Sequence, residues 1–145
     1  MISLSTARRI AVPADRVWRM ISTDEVRNFV LGKYIESIEV ENDGPGGILT
    51  VTTKAGAVVK ERIDDYDHAE REFSYSIVDS GPRNYAYFRG VLRVQPCGPN
   101  ESMLSERCRF ITESGKEDET REAWLAGSKG KLNLIAEYLE AGAQS

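Results

Sequence analysis

The feature that most constrains the fold is a run of short strand-like segments between residues 34 and 112, joined by compact turns. The segments alternate apolar and polar residues, and the turns carry signals such as DGPGG at 43–47. Strands joined by such short turns pair antiparallel, because parallel neighbours need a longer crossover. Together with a further strand at residues 2–12, the pattern predicts a seven-stranded antiparallel meander.

Helical periodicity is found on both sides of this strand-rich region. Two short helices are expected after the first strand: the first begins near Pro13 and the second ends at Gly32. The segment from Lys116 onward has an apolar stripe at helical spacing, which predicts a helix of about 25 residues ending near Gly142. The expected order is therefore strand, two helices, six strands and one long helix.

The predicted long helix contains two interior glycines, Gly127 and Gly130. Each costs roughly 0.5–1 kcal/mol relative to alanine, so their presence suggests that something approaches the helix closely. Two interpretations remain open at this point. The helix backbone packs tightly on the sheet, or the glycines leave room for a ligand.

Composition limits the classes of function. A chain of 145 residues fits a single domain, predicted to span residues 1–145. The net charge is −4 and the basic residues are dispersed, whereas nucleic-acid binding requires a basic stripe, so no nucleic-acid partner is expected. No apolar run approaches the ~18 residues of a membrane span, so membrane insertion is not expected either.

The metal-binding residue types are scarce. Cys97 and Cys108 do not have the spacing of metal ligands, and the single histidine, His68, cannot complete a histidine-rich site. We therefore expect no metal and no cofactor. The N-terminus lacks the apolar region of a secretory signal, and the low cysteine content fits a reducing compartment, so a cytoplasmic location is expected. The sequence leaves monomer and homodimer open.

One glutamate lies on the wrong face of its strand. Val59, Glu61 and Ile63 share one face because side chains alternate with period two, and the other face is charged throughout. An unpaired carboxylate among apolar residues is costly, so Glu61 marks either a compensated structural pair or a functional cavity. By the same parity Glu106 lies on an apolar face of the last strand, with Leu104 and Cys108.

Several segments match one superfamily along nearly the whole chain: PADRVWRMIS at 13–22, IEVENDGPGG at 38–47, the strands around Glu61, and KEDET at 116–120 before the long helix. In these segments the chain resembles the SRPBCC, or START-like helix-grip, superfamily. That superfamily includes birch-pollen-allergen-like proteins, polyketide cyclases/dehydratases and abscisic-acid receptors. The resemblance implies an α+β helix-grip fold, in which a curved seven-stranded antiparallel sheet wraps around a long C-terminal helix. It also implies that a cavity between the sheet and the helix binds an apolar or amphipathic small molecule.

The similarity to the receptor branch also implies which residues face that cavity. The two cavity glutamates of the receptors correspond to Glu61 and Glu106, and the arginine and tyrosine of a latch turn correspond to Arg83 and Tyr85. On the long helix, the cavity positions correspond to Ala123, Gly127 and Lys131.

The chain also departs from these relatives. The receptor lysine that holds the hormone carboxylate falls at Gly32, and the gate sequence is absent, so hormone sensing of that kind is not indicated. The norcoclaurine synthases resemble the chain at Glu61, but their catalytic lysine falls near Phe73, and their tyrosine two residues before the glutamate is Val59. That chemistry is not indicated either.

The candidate site combines these residues with the inward positions of neighbouring strands. Strand parity places Tyr85 and Tyr87 inside and requires a bulge near Arg89 and Gly90, since the following apolar residues otherwise face outward. The predicted catalytic residues are Glu61, Glu106 and Lys131, and the predicted ligand-binding residues are Val59, Tyr75, Arg83, Tyr85, Tyr87, Ala123 and Gly127. In the structural alternative, Glu61 pairs with Lys131 or Arg83 and only closes the cavity floor.

Three functions fit these residues. The first is a carrier or sensor that binds a hydrophobic small molecule. The second is an enzyme, a cyclase or dehydratase, in which Glu61 or Glu106 removes a proton beside a carbonyl. The third is an interaction module that acts through its loops, which the missing gate sequence disfavours. The first two need the same apolar pocket with a few polar groups, so the sequence does not separate them.

Overall fold

The computed structural model describes residues 1–83 and 85–143. Its elements, in chain order, are β1 (Ile2–Ile10), α1 (Ala14–Ile21), α2 (Glu25–Val30), β2 (Ile35–Val40), β3 (Ile48–Thr53), β4 (Val58–Asp67), β5 (Glu72–Asp79), a short 3-10 turn (Gly81–Arg83), β6 (Tyr85–Gly98), β7 (Glu101–Thr112) and α3 (Glu117–Ala143). The predicted element order is confirmed, although the first strand ends two residues earlier than expected.

The seven strands form one antiparallel sheet in the order β1-β7-β6-β5-β4-β3-β2. All neighbours from β2 to β7 are consecutive in sequence, as the short turns predict, and β1 closes the other side by pairing with β7. The α+β helix-grip fold is therefore confirmed. Among the described helices, none combines the length and apolar character that a membrane crossing would need.

The main core lies between α1, the C-terminal half of α3 and the inner face of β1, β6 and β7. Its members include six side chains that are at most 1% exposed, namely Ile10, Val17, Met20, Leu104, Leu132 and Ile135. Burying a side chain of this kind contributes about 1.5–3 kcal/mol. This cluster therefore anchors the C-terminal half of α3 to the sheet.

Polar contacts fix α3 to one edge of the sheet. Arg8 on β1 donates a hydrogen bond to Asn133 Oδ1 at 2.7 Å, and the backbone N–H of Ala11 donates to Glu140 Oε2 at 3.0 Å. The helix accordingly packs mainly on β1 and, to a lesser degree, on β7. Because α3 lies over this edge, the inner faces of the strands at the other edge are left without a helix against them.

The bulge in β6 is not where the sequence predicts it. The pairing of β6 with β7 shifts register between Tyr85 and Tyr87, and it is regular at Arg89 and Gly90. The shift reverses the parity of the strand, so that Phe88 points inward and Tyr87 outward. The predicted inward orientation of Tyr87 is therefore wrong, because the extra residue comes before Tyr87 rather than after it.

The turn before β6 requires a glycine. Gly81 has φ +55°, and a Cβ at this position would lie 2.3 Å from the carbonyl oxygen of Val58. Both the left-handed backbone and the close approach of β4 exclude a side chain. Gly81 thus allows the turn that carries Arg83 to pack against the first residue of β4.

Candidate functional site

A cavity of about 780 Å³ lies between α2, the N-terminal half of α3 and the uncovered part of the sheet. This volume falls within the range of roughly 300–1,000 Å³ that is usual for small-molecule sites. Its wall is mostly apolar and includes Ile38 and Leu49 from β2 and β3, Val59, Phe73, Tyr75 and Ile77 from β4 and β5, and Phe88 and Leu92 from β6. The cavity exists because α3 packs on β1 and leaves this wall bare.

The cavity lining extends to surface-exposed residues, some of them charged. Pro82 and Arg83 come from the 3-10 turn, Lys116 lies just before α3, and Glu119 lies in its first turn. Lys116 and Glu119 form an exposed ion pair at 3.7 Å. Tyr34 and the α3 residues Ala123, Gly127 and Leu134 are also exposed parts of the lining, so the mouth of the cavity has charged groups at one end and small or apolar residues along α3.

Glu106 is the centre of a hydrogen-bond network at the boundary of the cavity and the core. Its Oε2 accepts hydrogen bonds from Tyr75 Oη at 2.8 Å and from Lys131 Nζ at 2.5 Å, and its Oε1 accepts one from Ser128 Oγ at 2.7 Å. The Ser128 hydroxyl is also hydrogen-bonded to Thr6 on β1. Glu106 is only 1% exposed, so its charge is compensated inside the protein.

The electrostatics of Glu106 follow from these partners. Burial opposes the ionised form, but the Lys131 ammonium and the three hydrogen bonds outweigh it and lower the pKa of Glu106. Burial likewise favours neutral Lys131, but the Glu106 carboxylate raises the pKa of that ammonium. The result is an ion pair that stays charged at neutral pH.

Tyr75 reaches Glu106 because the neighbouring strand has no side chain beneath the ring. Tyr75 is directly opposite Gly90 in the β5–β6 pairing, and a Cβ at Gly90 would lie 2.4 Å from the ring carbon Cζ. Burial and the nearby carboxylates raise the pKa of Tyr75 well above its ordinary value, so the hydroxyl stays protonated and donates to Glu106. Gly90 is thus needed for the position of Tyr75 and not for a bulge.

Glu61 has different surroundings. It lines the cavity on β4 and is half-buried, and within residues 1–83 and 85–143 its carboxylate has neither a hydrogen bond nor an ion pair. Burial raises the pKa of Glu61, and the charges of Lys131 and Arg83 act against this shift. Lys131 forms its ion pair with Glu106 instead. The predicted structural pairing of Glu61 with Lys131 or Arg83 is absent among the described contacts.

Most of the predicted site residues line one cavity. They are Val59, Glu61, Tyr75, Arg83, Tyr85, Glu106, Ala123, Gly127 and Lys131. The exception is Tyr87, which lies on the outer face of the sheet and is 42% exposed.

The helix glycines line the cavity rather than a packing interface. A Cβ built on Gly127 or Gly130 meets no atom within 4 Å, and both residues are part of the cavity wall. Close packing of the helix backbone on the sheet, one of the two interpretations of these glycines, is therefore wrong. The glycines increase the space available next to α3.

Three polar residues of the site were not predicted. Ser128 donates a hydrogen bond to Glu106, Thr6 is hydrogen-bonded to Ser128, and Tyr34 lines the cavity from the segment after α2. A signal for Ser128 exists in the sequence, because it lies three residues before Lys131 and so shares its helix face. Thr6 is directly opposite Glu106 in the β1–β7 register, which only the pairing of the strands reveals.

No metal centre is evident in the described part of the chain. Among residues 1–83 and 85–143, no group of three or more histidine, cysteine, aspartate or glutamate side chains is arranged to hold a metal ion.

Comparison with known proteins places this cavity in a family context. Residues 1–140 match the family described as polyketide cyclase/dehydrase and lipid transport. The chain is 36% identical over 141 residues to the major pollen allergen Bet v 1-C of Betula pendula, covering 90% of this chain and 88% of the allergen. It is 26% identical to the allergen Aln g 1 of Alnus glutinosa, with the same coverage.

Solved structures show the same fold at lower identity. A norcoclaurine synthase from Thalictrum flavum, a point mutant in complex with a transition-state analogue, superposes with a TM-score of 0.83 at 18% identity, covering 99% of this chain and 96% of the enzyme. The ZhuI aromatase/cyclase from Streptomyces sp. R1128 gives a TM-score of 0.79 at 19% identity, with coverage of 96% and 93%. At these identities the likeness concerns the fold alone.

Proposed function

Because the chain belongs to the polyketide cyclase/dehydrase and lipid transport family, we propose that it binds an apolar or amphipathic small molecule inside the cavity, as a carrier or sensor. The apolar wall would hold the body of the ligand, and Glu61 would accept a hydrogen bond from its polar group. The family description includes both lipid transport and cyclase activity. The choice between these two functions therefore has to be argued from the residues that line the cavity.

The observation that carries the proposal is the unbonded carboxylate of Glu61 in an apolar cavity of about 780 Å³. A half-buried carboxylate without a partner is costly, and a ligand that donates a hydrogen bond would remove that cost. The neighbouring carboxylate does not offer this opportunity, because Glu106 already accepts three hydrogen bonds. Glu61 is thus the carboxylate that would select ligands carrying a hydrogen-bond donor.

The test is direct binding of an amphipathic dye, 8-anilinonaphthalene-1-sulfonate, together with mass spectrometry of what co-purifies with the protein. Ala123→Phe should reduce dye affinity at least ten-fold, because Ala123 lines the cavity and the added ring would occupy it. Ala141→Phe is the matched control on the same helix, since Ala141 is exposed and is not part of the cavity wall. Dye affinity that is equal in both variants, with nothing apolar co-purifying, would sink the proposal.

A second candidate is a cyclase or dehydratase in which Glu61 is the general base. In this role the Glu61 carboxylate removes a proton from the carbon beside a carbonyl, and the resulting enolate attacks a second carbonyl of the same substrate. The Glu61 carboxylic acid then returns the proton to the new alkoxide. The raised pKa of Glu61 favours this candidate, because it brings the base closer to neutral pH. Glu106 is the weaker choice, since its pKa is lowered and its oxygens are occupied.

Glu61→Gln separates the two functions. A catalytic base should lose turnover of a short poly-β-ketone by several orders of magnitude while affinity stays within several-fold. A binding residue should lose affinity, with no turnover to lose. Ile38→Ala serves as the comparison for non-specific changes of the cavity, because Ile38 lines the cavity and is paired with Val51 rather than with either glutamate.

We also propose a cytoplasmic location and a monomeric or homodimeric state. Cys97 and Cys108 are both free and Cys97 is exposed, which fits a reducing compartment. Fractionation of the source cells and light scattering of the purified chain would test these two points.

A further inference from the structure

The outer face of the sheet carries exposed apolar side chains at one end. Tyr87 and Ile111 lie directly opposite each other on β6 and β7 and are 42% and 43% exposed. On the neighbouring strand β5, Val78 follows Ser76, the partner of Arg89, by two residues and is 48% exposed. Tyr87 and Ile111 therefore form a row of exposed apolar side chains, and Val78 adds a third on the adjacent strand.

A second row, of arginines, lies beside the first. Arg89 and Arg109 are directly opposite each other, and like charges in such a pair are destabilising. The Arg109 side chain is exposed and has no hydrogen bond or ion pair within the described residues, although its backbone pairs with β1 and β6. Arg89 forms an ion pair with Asp64 at 3.8 Å, but Asp64 also accepts hydrogen bonds from Arg62 and Ser76. The positive charge of this row is thus only partly compensated.

We define the outer-face patch as Val78, Tyr87, Arg89, Arg109 and Ile111. Two exposed acidic residues lie at its margin, Asp79 and Glu113, and Asp79 already accepts the backbone N–H of Gly81. An exposed aromatic and two aliphatic side chains next to partly compensated arginines are the elements of a surface that binds anionic lipid headgroups.

The outer-face patch is close to the mouth of the cavity. The residues next to it in sequence, Ile77, Phe88 and Thr112, line the cavity on the opposite face of the same strand ends. Arg83 at the mouth adds a further cationic group on this side of the molecule, whereas Lys116 is paired with Glu119. A surface that contacts the patch would therefore lie near the opening.

We propose that the outer-face patch docks the protein on an anionic lipid surface, with Tyr87 and Ile111 in the headgroup region and Arg89 and Arg109 against the lipid phosphates. A second copy of the chain fits less well, because a two-fold contact through this patch brings arginine rows together. Nucleic acid fits less well too, because the row nearest the cavity mouth is apolar. The proposal goes beyond cavity binding and does not depend on it.

The experiment is co-sedimentation of the full chain with vesicles of phosphatidylcholine alone and of phosphatidylcholine mixed with phosphatidylglycerol. Binding is expected only to the mixed vesicles, and it should weaken as salt is raised. Arg109→Gln should lower the partition coefficient about five-fold, as expected for one cation near an anionic surface. Tyr87→Ser combined with Ile111→Ser should lower it at least ten-fold.

The controls make each outcome decisive. Arg19→Gln removes one exposed arginine from α1, and Val40→Ser removes one exposed apolar side chain from β2; neither should change binding by more than two-fold. If the double variant does not fold, judged by circular dichroism, Arg109→Gln alone decides. Equal binding to both vesicles, equal losses in the controls, preferential binding of single-stranded DNA, or patch-dependent dimerisation without vesicle binding would each overturn the proposal.

Discussion

Glu61 and Glu106 reach the same cavity from different strands, yet only the Glu106 carboxylate accepts hydrogen bonds from other described residues. Glu106 accepts hydrogen bonds from Tyr75, Ser128 and Lys131, and its pKa is lowered. Glu61 has no such partner among the described residues, and burial raises its pKa. The difference comes from α3, which packs on β1 and so brings its polar residues to β7 rather than to β4. Of the two, Glu106 has the environment of a structural residue and Glu61 that of a ligand-facing one.

The largest expected effect follows from breaking the Glu106 network. Glu106→Gln would leave the Lys131 ammonium half-buried without its counter-charge, which costs about 3–5 kcal/mol of unfolding free energy. Urea denaturation at neutral pH measures the change. Adding Lys131→Met to this variant should recover part of the loss, because the uncompensated charge is then gone. A loss below ~1 kcal/mol would remove the structural role of Glu106.

A smaller effect is expected from Gly90, which supports the same network through Tyr75. Gly90→Ala would push the Tyr75 ring away from Glu106 and should cost about 1–3 kcal/mol. Gly130→Ala is the matched control on α3: its added Cβ meets nothing within 4 Å, so it should stabilise the helix by about 0.5–1 kcal/mol. Thermal unfolding should show a lower midpoint temperature for Gly90→Ala and a higher one for Gly130→Ala than for the wild type. Equal destabilisation would contradict the different surroundings of the two glycines.

The two carboxylates should also give opposite pH dependences of stability. The folded-state pKa of Glu106 lies below its ordinary value of 4.5, so its contribution is present above that pH and is lost as pH falls through the folded-state pKa. The folded-state pKa of Glu61 lies above 4.5, so stability decreases as pH rises from 4.5 through that pKa. Urea titrations between acid and neutral pH, in wild type and in each Gln variant, would separate the two. In the Glu106→Gln variant, the free energy of unfolding should fall less than in the wild type as the pH is lowered below 4.5.

The smallest expected change in stability comes from replacing Glu61 itself. Because ionised Glu61 is desolvated and unbonded, Glu61→Gln should raise the unfolding free energy at neutral pH, by less than about 1 kcal/mol. Denaturant midpoints measured beside those of Glu106→Gln are the check. A destabilisation comparable to that of Glu106→Gln would mean that Glu61 has a structural partner, and the contrast would fail.

The strands, the helices and the placement of both glutamates follow from local patterns. Alternation and turn residues predict the seven strands, and parity alone puts Glu106 on the inner face of β7. These features depend on short-range periodicity, which a single sequence carries in full. Cavity placement of Ala123 and Gly127 needed the resemblance to the superfamily in addition.

The bonding pattern could not be predicted in the same way. Whether Lys131 meets Glu61 or Glu106 depends on where α3 packs, and this is decided by contacts between residues far apart in sequence, such as Thr6 and Ser128. The orientation of Tyr87 depends on a bulge that any nearby residue could have adopted. In both cases several local arrangements have similar energies, and tertiary packing selects one.

The most direct test is a carboxyl-carbon NMR titration of Glu61 and Glu106, with and without bound 8-anilinonaphthalene-1-sulfonate. The expected result is a midpoint above 4.5 for Glu61 and below 4.5 for Glu106. Dye binding should change the resonance or midpoint of Glu61 and leave Glu106 nearly unchanged. Midpoints in the reverse order, or a dye response confined to Glu106, would contradict the assignment of Glu61 as the ligand-facing carboxylate.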